Sequence, residues 1–131
     1  MVKTAKRIVG DWGEEQAALF LYRAGYEIID RNYLTKGGEI DIIAWHTKSH
    51  FGRTLCFVEV KTRTELVDGS AERATDWKKL QHIVRAARHY CLTNNISLDR
   101  TPMQFEQVSI YAETVGATPQ IYHYVIPIDA S

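Results

Sequence analysis

Gly38-Glu39-Ile40-Asp41-Ile42-Ile43-Ala44 and its echo Phe57-Val58-Glu59-Val60-Lys61 are the stretches whose reading decides the fold. Both are rich in β-branched and large apolar residues, and a polar segment separates them. That pattern predicts two antiparallel strands joined as a hairpin. The two runs also place Glu39, Asp41, Glu59 and Lys61 among apolar neighbours. Burying such charge is costly unless it is paired or bound to an ion. The expectation is that the rest of the chain holds this charged cluster in place.

On the N-terminal side, residues from about Arg7 to Ala24 read as a helix ending at Gly25, a favoured position just past a helix end. Ala17, Ala18 and Leu21 stand three, four and seven residues beyond Glu14, so Glu14 shares their inward face. Glu14 is either a functional group carried by that face or an ordinary exposed glutamate, as Glu15 is expected to be. Tyr26–Tyr33 is expected as a first strand and Lys36-Gly37-Gly38 as a turn. Glu39–Trp45 and Thr54–Thr62 are the second and third strands. His46–Arg53 reads as a polar connection whose two histidines, His46 and His50, are solvated.

On the C-terminal side, Glu65–Ser70 reads as a mobile loop, and about Thr75 to Thr93 as a helix capped by Thr75 or Asp76. Trp77, Leu80, Ile83, Val84, Ala87, Tyr90 and Cys91 form its apolar stripe, and Lys78, His82, Arg85 and His89 another face. That basic face is either solvated or in contact with a polyanion. Met103–Ala112 and Gln120–Ile128 are two further strands joined around Gly116. The order predicts an α/β fold, a mixed β-sheet flanked by helices.

At 131 residues with 45% hydrophobic and 24% charged residues, the chain is expected to form a single domain, residues 1–131. Cys56 and Cys91 sit in apolar runs without CxxC spacing, which favours buried free thiols over a disulfide and a reducing, cytoplasmic setting. No signal peptide or membrane-spanning run is visible. The 16 Lys and Arg balance the 16 Asp and Glu, so global charge does not demand a nucleic-acid partner. Residues 71–100 nevertheless hold a local excess of positive charge: Arg73, Lys78, Lys79, Arg85, Arg88 and Arg100 outnumber Glu72, Asp76 and Asp99.

Strand alternation sets Glu39, Asp41 and Ile43 on one face of the second strand, and Phe57, Glu59 and Lys61 on one face of the third. In a hairpin these faces can coincide, so that Asp41, Glu59 and Lys61 converge and Glu14 can join them. Crowded carboxylates repel unless a positive group sits between them or they take up protons. Lys61 neutralises one. A hard divalent ion with oxygen ligands suits two or three, and the lack of His or Cys argues against zinc. Such a metal beside a lysine is suited to phosphodiester hydrolysis. The plainer reading is a pair of cross-strand salt bridges linking Lys61 to Asp41 or Glu59.

Asp41 followed by Glu59-Val60-Lys61 resembles the PD-(D/E)XK nuclease superfamily. The finer pattern is Gly13-Glu14 with Ala17-Ala18, Gly25-Tyr26, Arg31-Asn32, Gly38–Ala44 and Phe57–Arg63. It resembles the YraN-like family of bacterial proteins, itself similar to archaeal Holliday-junction resolvases, over roughly residues 10–111. The resemblance implies an αβββαβ restriction-endonuclease-like core and Mg²⁺ or Mn²⁺ as cofactor. It makes Asp41 and Glu59 metal ligands with the Val60 carbonyl as a third, Lys61 the residue that positions the attacking water, and Glu14 the glutamate that completes the acidic site. Phe105-Glu106-Gln107-Val108 departs from the Phe-Asp-Val-Val-like strand expected there.

The leading expectation is a metal-dependent endonuclease acting on DNA, branched or junction DNA included, with Arg63, Lys78 and Arg85 contacting the nucleic acid. The alternatives are a nucleic-acid-binding module without turnover and a protein-interaction module on a nuclease fold. A two-fold symmetric junction would be matched by a homodimer; no membrane partner is expected.

Overall fold

The computed structural model describes residues 2–64 and 77–128. The elements run α1 (Ala5–Arg23), β1 (Glu27–Thr35), β2 (Gly38–Lys48), β3 (Gly52–Arg63), α2 (Trp77–Thr93), β4 (Met103–Tyr111) and β5 (Gln120–Ile126). The expected α/β architecture is present, with the αβββαβ order of a restriction-endonuclease-like core followed by one more strand. The expected Glu65–Ser70 loop and the Thr75 or Asp76 cap lie outside the described residues. Among the described residues, no helix is long and apolar enough to cross a membrane.

The strands form one sheet in the order β1-β2-β3-β4-β5. β1, β2 and β3 are antiparallel neighbours, β3 and β4 are parallel, and β4 and β5 are antiparallel. A parallel pair needs a crossover, and α2 lies within it. Each helix covers one face. Ala17, Ala18 and Leu21 of α1 pack on Ile42, Ala44, Cys56, Val58, Val108 and Ile110. Ala86, Ala87, Tyr90 and Cys91 of α2 pack on Ile40, Ile43, Leu55 and Phe57. The central strand β3 is apolar on both sides because both helices press on it. Cys56 and Cys91 are buried free thiols in opposite layers, as expected of unpaired cysteines.

Small residues let α1 approach closely. A Cβ on Gly13 would clash with Thr62 Oγ1 and lie 2.6 Å from Thr62 Cβ, so no rotation of Thr62 makes room for it. Gly25, with φ 90°, ends α1 as expected.

Three expectations need correction. His46–Arg53 is not a polar loop: Lys48 pairs with Gly52 and His46 with Thr54, so the strands continue almost to the turn. His46 is not solvated. Its ring stacks on Tyr26 at 3.9 Å, and its Nε2 lies 3.1 Å from the Ala24 carbonyl. Trp77 does not join the α2 stripe; it is 73% exposed, because the sheet is reached only further along the helix.

Candidate functional site

The sheet splits at one place. The β2–β3 ladder runs from Lys48↔Gly52 to Ile42↔Val58 and stops. On either side, β1–β2 pairing continues to Thr35↔Gly38 and β3–β4 pairing to Arg63↔Tyr111. Asp41 is the first residue past the last rung. Its Oδ2 accepts a hydrogen bond from the Val60 N–H at 2.8 Å, so a side chain takes the place of a ladder carbonyl.

Regular alternation would put Asp41 on the α2 face beside Ile43. Alternation is not regular here. Ile40 and Ile43 both belong to the α2-side core, whereas Ile42 and Ala44 belong to the α1 side. The pleat is therefore irregular between Ile40 and Ile42, and Asp41 lines a cleft to which α1 contributes Glu14 and α2 contributes Lys79. β1 is unusual at the same level. The rungs Arg31↔Ile42 and Tyr33↔Ile40 leave Asn32 opposite Asp41, and Asn32 is left-handed, with φ 54°. β3 keeps its alternation: Cys56 and Val58 face α1, and Leu55 and Phe57 face α2.

The cleft has a volume of about 420 Å³ and opens to solvent, lined among others by Glu14, Asn32, Asp41, Val60, Lys61 and Arg63. Glu14 points inward as its spacing from Ala17 and Leu21 predicts, with only 14% of its side chain exposed. Arg31 holds it: Nε and Nη2 both lie 3.3 Å from Glu14 Oε1, and Nη2 also reaches Glu15 at 2.8 Å. Burial raises the Glu14 carboxyl above the usual range, while Arg31 and Asn32 oppose the rise. Gly13, pressed on Thr62, fixes how far Glu14 stands from β3.

Glu59 is buried at 8% exposure but is not among the residues lining this cleft. It is ion-paired with Lys79 of α2, and Lys79 does line the cleft. Glu59 nevertheless acts on Asp41. Burial pushes the Asp41 carboxyl up to about 7 against the opposing Val60 N–H, and repulsion from Glu14, Glu59 and Glu39 adds to the rise. Arg63 lies at the cleft with its Nε buried and without a hydrogen-bond partner among the described residues. Lys78 and Arg85 are exposed on α2 and do not line the cleft.

The carboxylates on the cleft are Asp11, Glu14, Glu39 and Asp41, an all-oxygen set of the kind Mg²⁺ and Mn²⁺ prefer. Among the described residues no three His, Cys, Asp or Glu side chains are close enough to hold an ion together. The donor chemistry fits a hard cation, with Glu59 drawn toward Lys79.

Sequence reading gave no site role to Arg31, Asn32 or Lys79, although Arg31-Asn32 belongs to the pattern that carries the family resemblance and Lys79 to the local basic excess. Arg31-Asn32 interrupts the apolar pattern of β1, yet two polar residues in an edge strand look the same when they are merely solvated. Glu106 was also missed. It is fully buried and meets Tyr26 Oη at 2.7 Å, Lys48 Nζ at 3.0 Å, Gln104 Nε2 at 2.9 Å and His123 Nε2 at 2.6 Å.

Residues 13–110 match the model of the uncharacterised protein family UPF0102. The UPF0102 protein of Chlorobium phaeobacteroides is 40% identical over 108 residues, covering 82% of this chain and 80% of its own length. That of Caldanaerobacter subterraneus is 33% identical over 126 residues, covering 96% and 98%. That of Chlorobium limicola is 42% identical over 108 residues, covering 82% and 78%. The matched span takes in most of α1, all the cleft-lining strands and nearly all of β4, so the chain belongs to the UPF0102 family.

Proposed function

We propose that this protein is a metal-dependent endonuclease that hydrolyses phosphodiester bonds in DNA, branched or junction DNA included. The observation that carries the reading is the convergence of Glu14, Asp41, the Val60 backbone and Lys61 on one open cleft where β2 and β3 separate. A sheet split between strands exposes main-chain groups that the ladder would otherwise use, and here a carboxylate and a lysine accompany them.

Mg²⁺ or Mn²⁺ would be held by Asp41, Glu59 and the Val60 carbonyl. Such an ion supplies a polarised phosphate and a more acidic water. Lys61 orients the attacking water and steadies the negative charge that develops on the phosphate oxygens. Glu14, fixed by Arg31, completes the acidic set. Arg63 at the cleft and the exposed Lys78 and Arg85 take the DNA backbone, giving salt-dependent binding. A homodimer would present two clefts to a two-fold junction.

One observation favours a second reading. Lys79 already occupies the Glu59 carboxylate, as it would in a module that binds nucleic acid, or a partner protein, without cleaving.

Purified protein incubated with Mg²⁺ or Mn²⁺ and with junction, flap and duplex DNA separates the two. The nuclease reading expects metal-dependent cleavage that falls by about 100-fold or more in Asp41→Ala, Glu59→Ala and Lys61→Ala. Cleavage that survives these substitutions would place the activity elsewhere. Salt-sensitive binding without cleavage under any metal would favour the second reading.

A further inference from the structure

The two edges of the sheet are built differently. β1 carries Glu27, Asp30 and Arg31, shifts register between Ile28 and Asp30, and holds Asn32 at φ 54° in mid-strand. Charges, a bulge and a left-handed residue all hinder another strand from adding to an edge. β5 has none of these. Gln120-Ile121-Tyr122-His123-Tyr124-Val125-Ile126 lacks Asp, Glu, Lys, Arg, Gly and Pro, and it pairs with β4 without a break from Tyr111↔Gln120 to Phe105↔Ile126. Among the described residues, β4 is its sole strand neighbour. Tyr122 and Tyr124 are each 46% exposed and Val125 is 60% exposed. The rungs Val108↔His123 and Ile110↔Ile121 set Ile121, His123 and Val125 on the α1 side and Tyr122 and Tyr124 on the other, so apolar surface is exposed on both faces. The His123 ring is engaged by its own core, with Nε2 2.6 Å from Glu106.

We infer that β5 is a self-association edge: two copies of this chain pair β5 against β5, antiparallel, and join their sheets into one of ten strands. Charge and symmetry identify the occupant. An uncharged edge is matched by a strand equally free of charge, and β5 is itself such a strand. Between Ala112 and Ile128, Glu113 is the sole Asp, Glu, Lys or Arg, so little repels a second copy. Pairing about a two-fold axis keeps the two faces of the sheet continuous only if odd positions oppose odd ones and even oppose even. The register centred on His123 meets that condition and uses all seven residues. It lays Tyr122 against Tyr124 of the second copy on one face and Ile121 against Val125 on the other, cross-strand pairs of the aromatic and β-branched kinds that stabilise sheets. The two β3 strands then stand five strand spacings apart, about 24 Å, with their clefts at opposite ends of the joined sheet. The inference gives a surface to the homodimer of the proposed function, and it requires neither metal nor DNA. A seven-residue edge belongs at the small end of interface sizes, so the dimer should dissociate on the order of 10 μM.

The test is sedimentation equilibrium on the full chain, free of metal and DNA, from about 1 to about 200 μM, which brackets that dissociation constant. Wild type should pass from monomer to dimer across the range. Tyr124→Lys and Val125→Lys each add a charge to the edge, one on either face, and each should weaken dimerisation about tenfold or more. Leu34→Lys, at an exposed position of the opposite edge, should leave it unchanged. All three side chains are exposed, so circular dichroism and melting temperature should match wild type. Disulfide formation reads the register, since the native Cys56 and Cys91 are buried. In an oxidised mixture of Tyr122→Cys and Tyr124→Cys proteins, the mixed dimer should exceed its statistical share, because each position is offset by two residues from its own counterpart. No such preference would overturn the pairing. A wild type that stays monomeric at about 200 μM overturns the inference and leaves the edge to a different polypeptide or to none. A dimer broken by Leu34→Lys and untouched by the two β5 lysines overturns it as well. Cleavage of DNA by a monomeric protein would sink this inference and leave the proposed function standing; a β5 dimer without cleavage would do the reverse.

Discussion

Asp41 and Glu106 are two carboxylates in the interior of one sheet, and their surroundings are opposite. Four side chains converge on Glu106: Tyr26, Lys48, Gln104 and His123. Burial alone would raise its carboxyl, but the hydrogen bonds from His123, Tyr26 and Lys48 outweigh it and hold it down at about 2. Burial raises Asp41 too, but the Val60 N–H is the hydrogen bond that opposes it and Glu14, Glu59 and Glu39 add repulsion, which leaves it at about 7. Glu106 is a charge the fold has already neutralised. Asp41 is a charge placed where no ion pair among the described residues neutralises it, and under the proposed function a cation from outside would relieve it. The two carboxylates thus differ by their partners rather than by their depth.

Removing the Glu106 compensation should have the largest effect. Lys48 Nζ bonds both Glu106 and the Tyr26 hydroxyl, and Lys48→Met leaves a fully buried carboxylate short of its cation. The expected loss is about 3–5 kcal/mol of unfolding free energy, measured by denaturant titration at neutral pH. The corresponding pH dependence has a fixed sign. Glu106 sits below its ordinary value of 4.5, so its contribution is complete above that pH and is lost as pH falls toward 2. Glu106→Gln should flatten that acid limb. An unchanged acid limb would mean that the network is not what holds the carboxyl down.

The close approach of α1 connects the two regions. Gly13→Ala pushes a methyl into Thr62. Overpacking of this kind costs about 1–3 kcal/mol, and relief requires α1 to move off β3, carrying Glu14 with it. Thermal unfolding should report the lower stability. Mn²⁺ calorimetry should report weaker binding, while a double variant that adds Thr62→Ala to Gly13→Ala recovers part of both.

Element order was legible because it rests on periodicity: Ala17, Ala18 and Leu21 at helical spacing, β3 apolar on both sides, Gly25 at a helix end. Glu14 was legible on the same grounds. The break in the pleat at Ile40–Ile42 was not. Alternation assumes a regular pleat, and the strand's own pattern does not mark where that regularity fails. Lys79 and Lys78 are neighbours on one helix, and their sequence context does not say which of them reaches the cleft. The Glu106 network was hidden for another reason. Its members come from β2, β4, β5 and the turn before β1, and they meet only when the sheet forms.

The smaller effect bears directly on the comparison, because it has the opposite sign. Replacing a buried, well-bonded acid with its amide normally destabilises, and Glu106→Gln should do so. Asp41→Asn should stabilise the metal-free protein. The Asp41 carboxyl is raised to about 7 from 3.8, so the folded state keeps its proton over a range where the unfolded chain has lost it. Stability therefore falls as pH rises from about 4 toward 7, and the penalty is complete above that. The amide of the Asp41→Asn variant carries no charge and avoids the penalty. The gain should be about 2 kcal/mol at pH 8 and close to zero near pH 4, read from urea midpoints across that range. Mg²⁺ or Mn²⁺ should stabilise wild type at pH 8 and leave Asp41→Asn almost unmoved, because the ion neutralises the charge that the substitution deletes. If Asp41→Asn destabilises at every pH, the Val60 hydrogen bond outweighs the crowding, and Asp41 is then a carboxylate of the Glu106 kind.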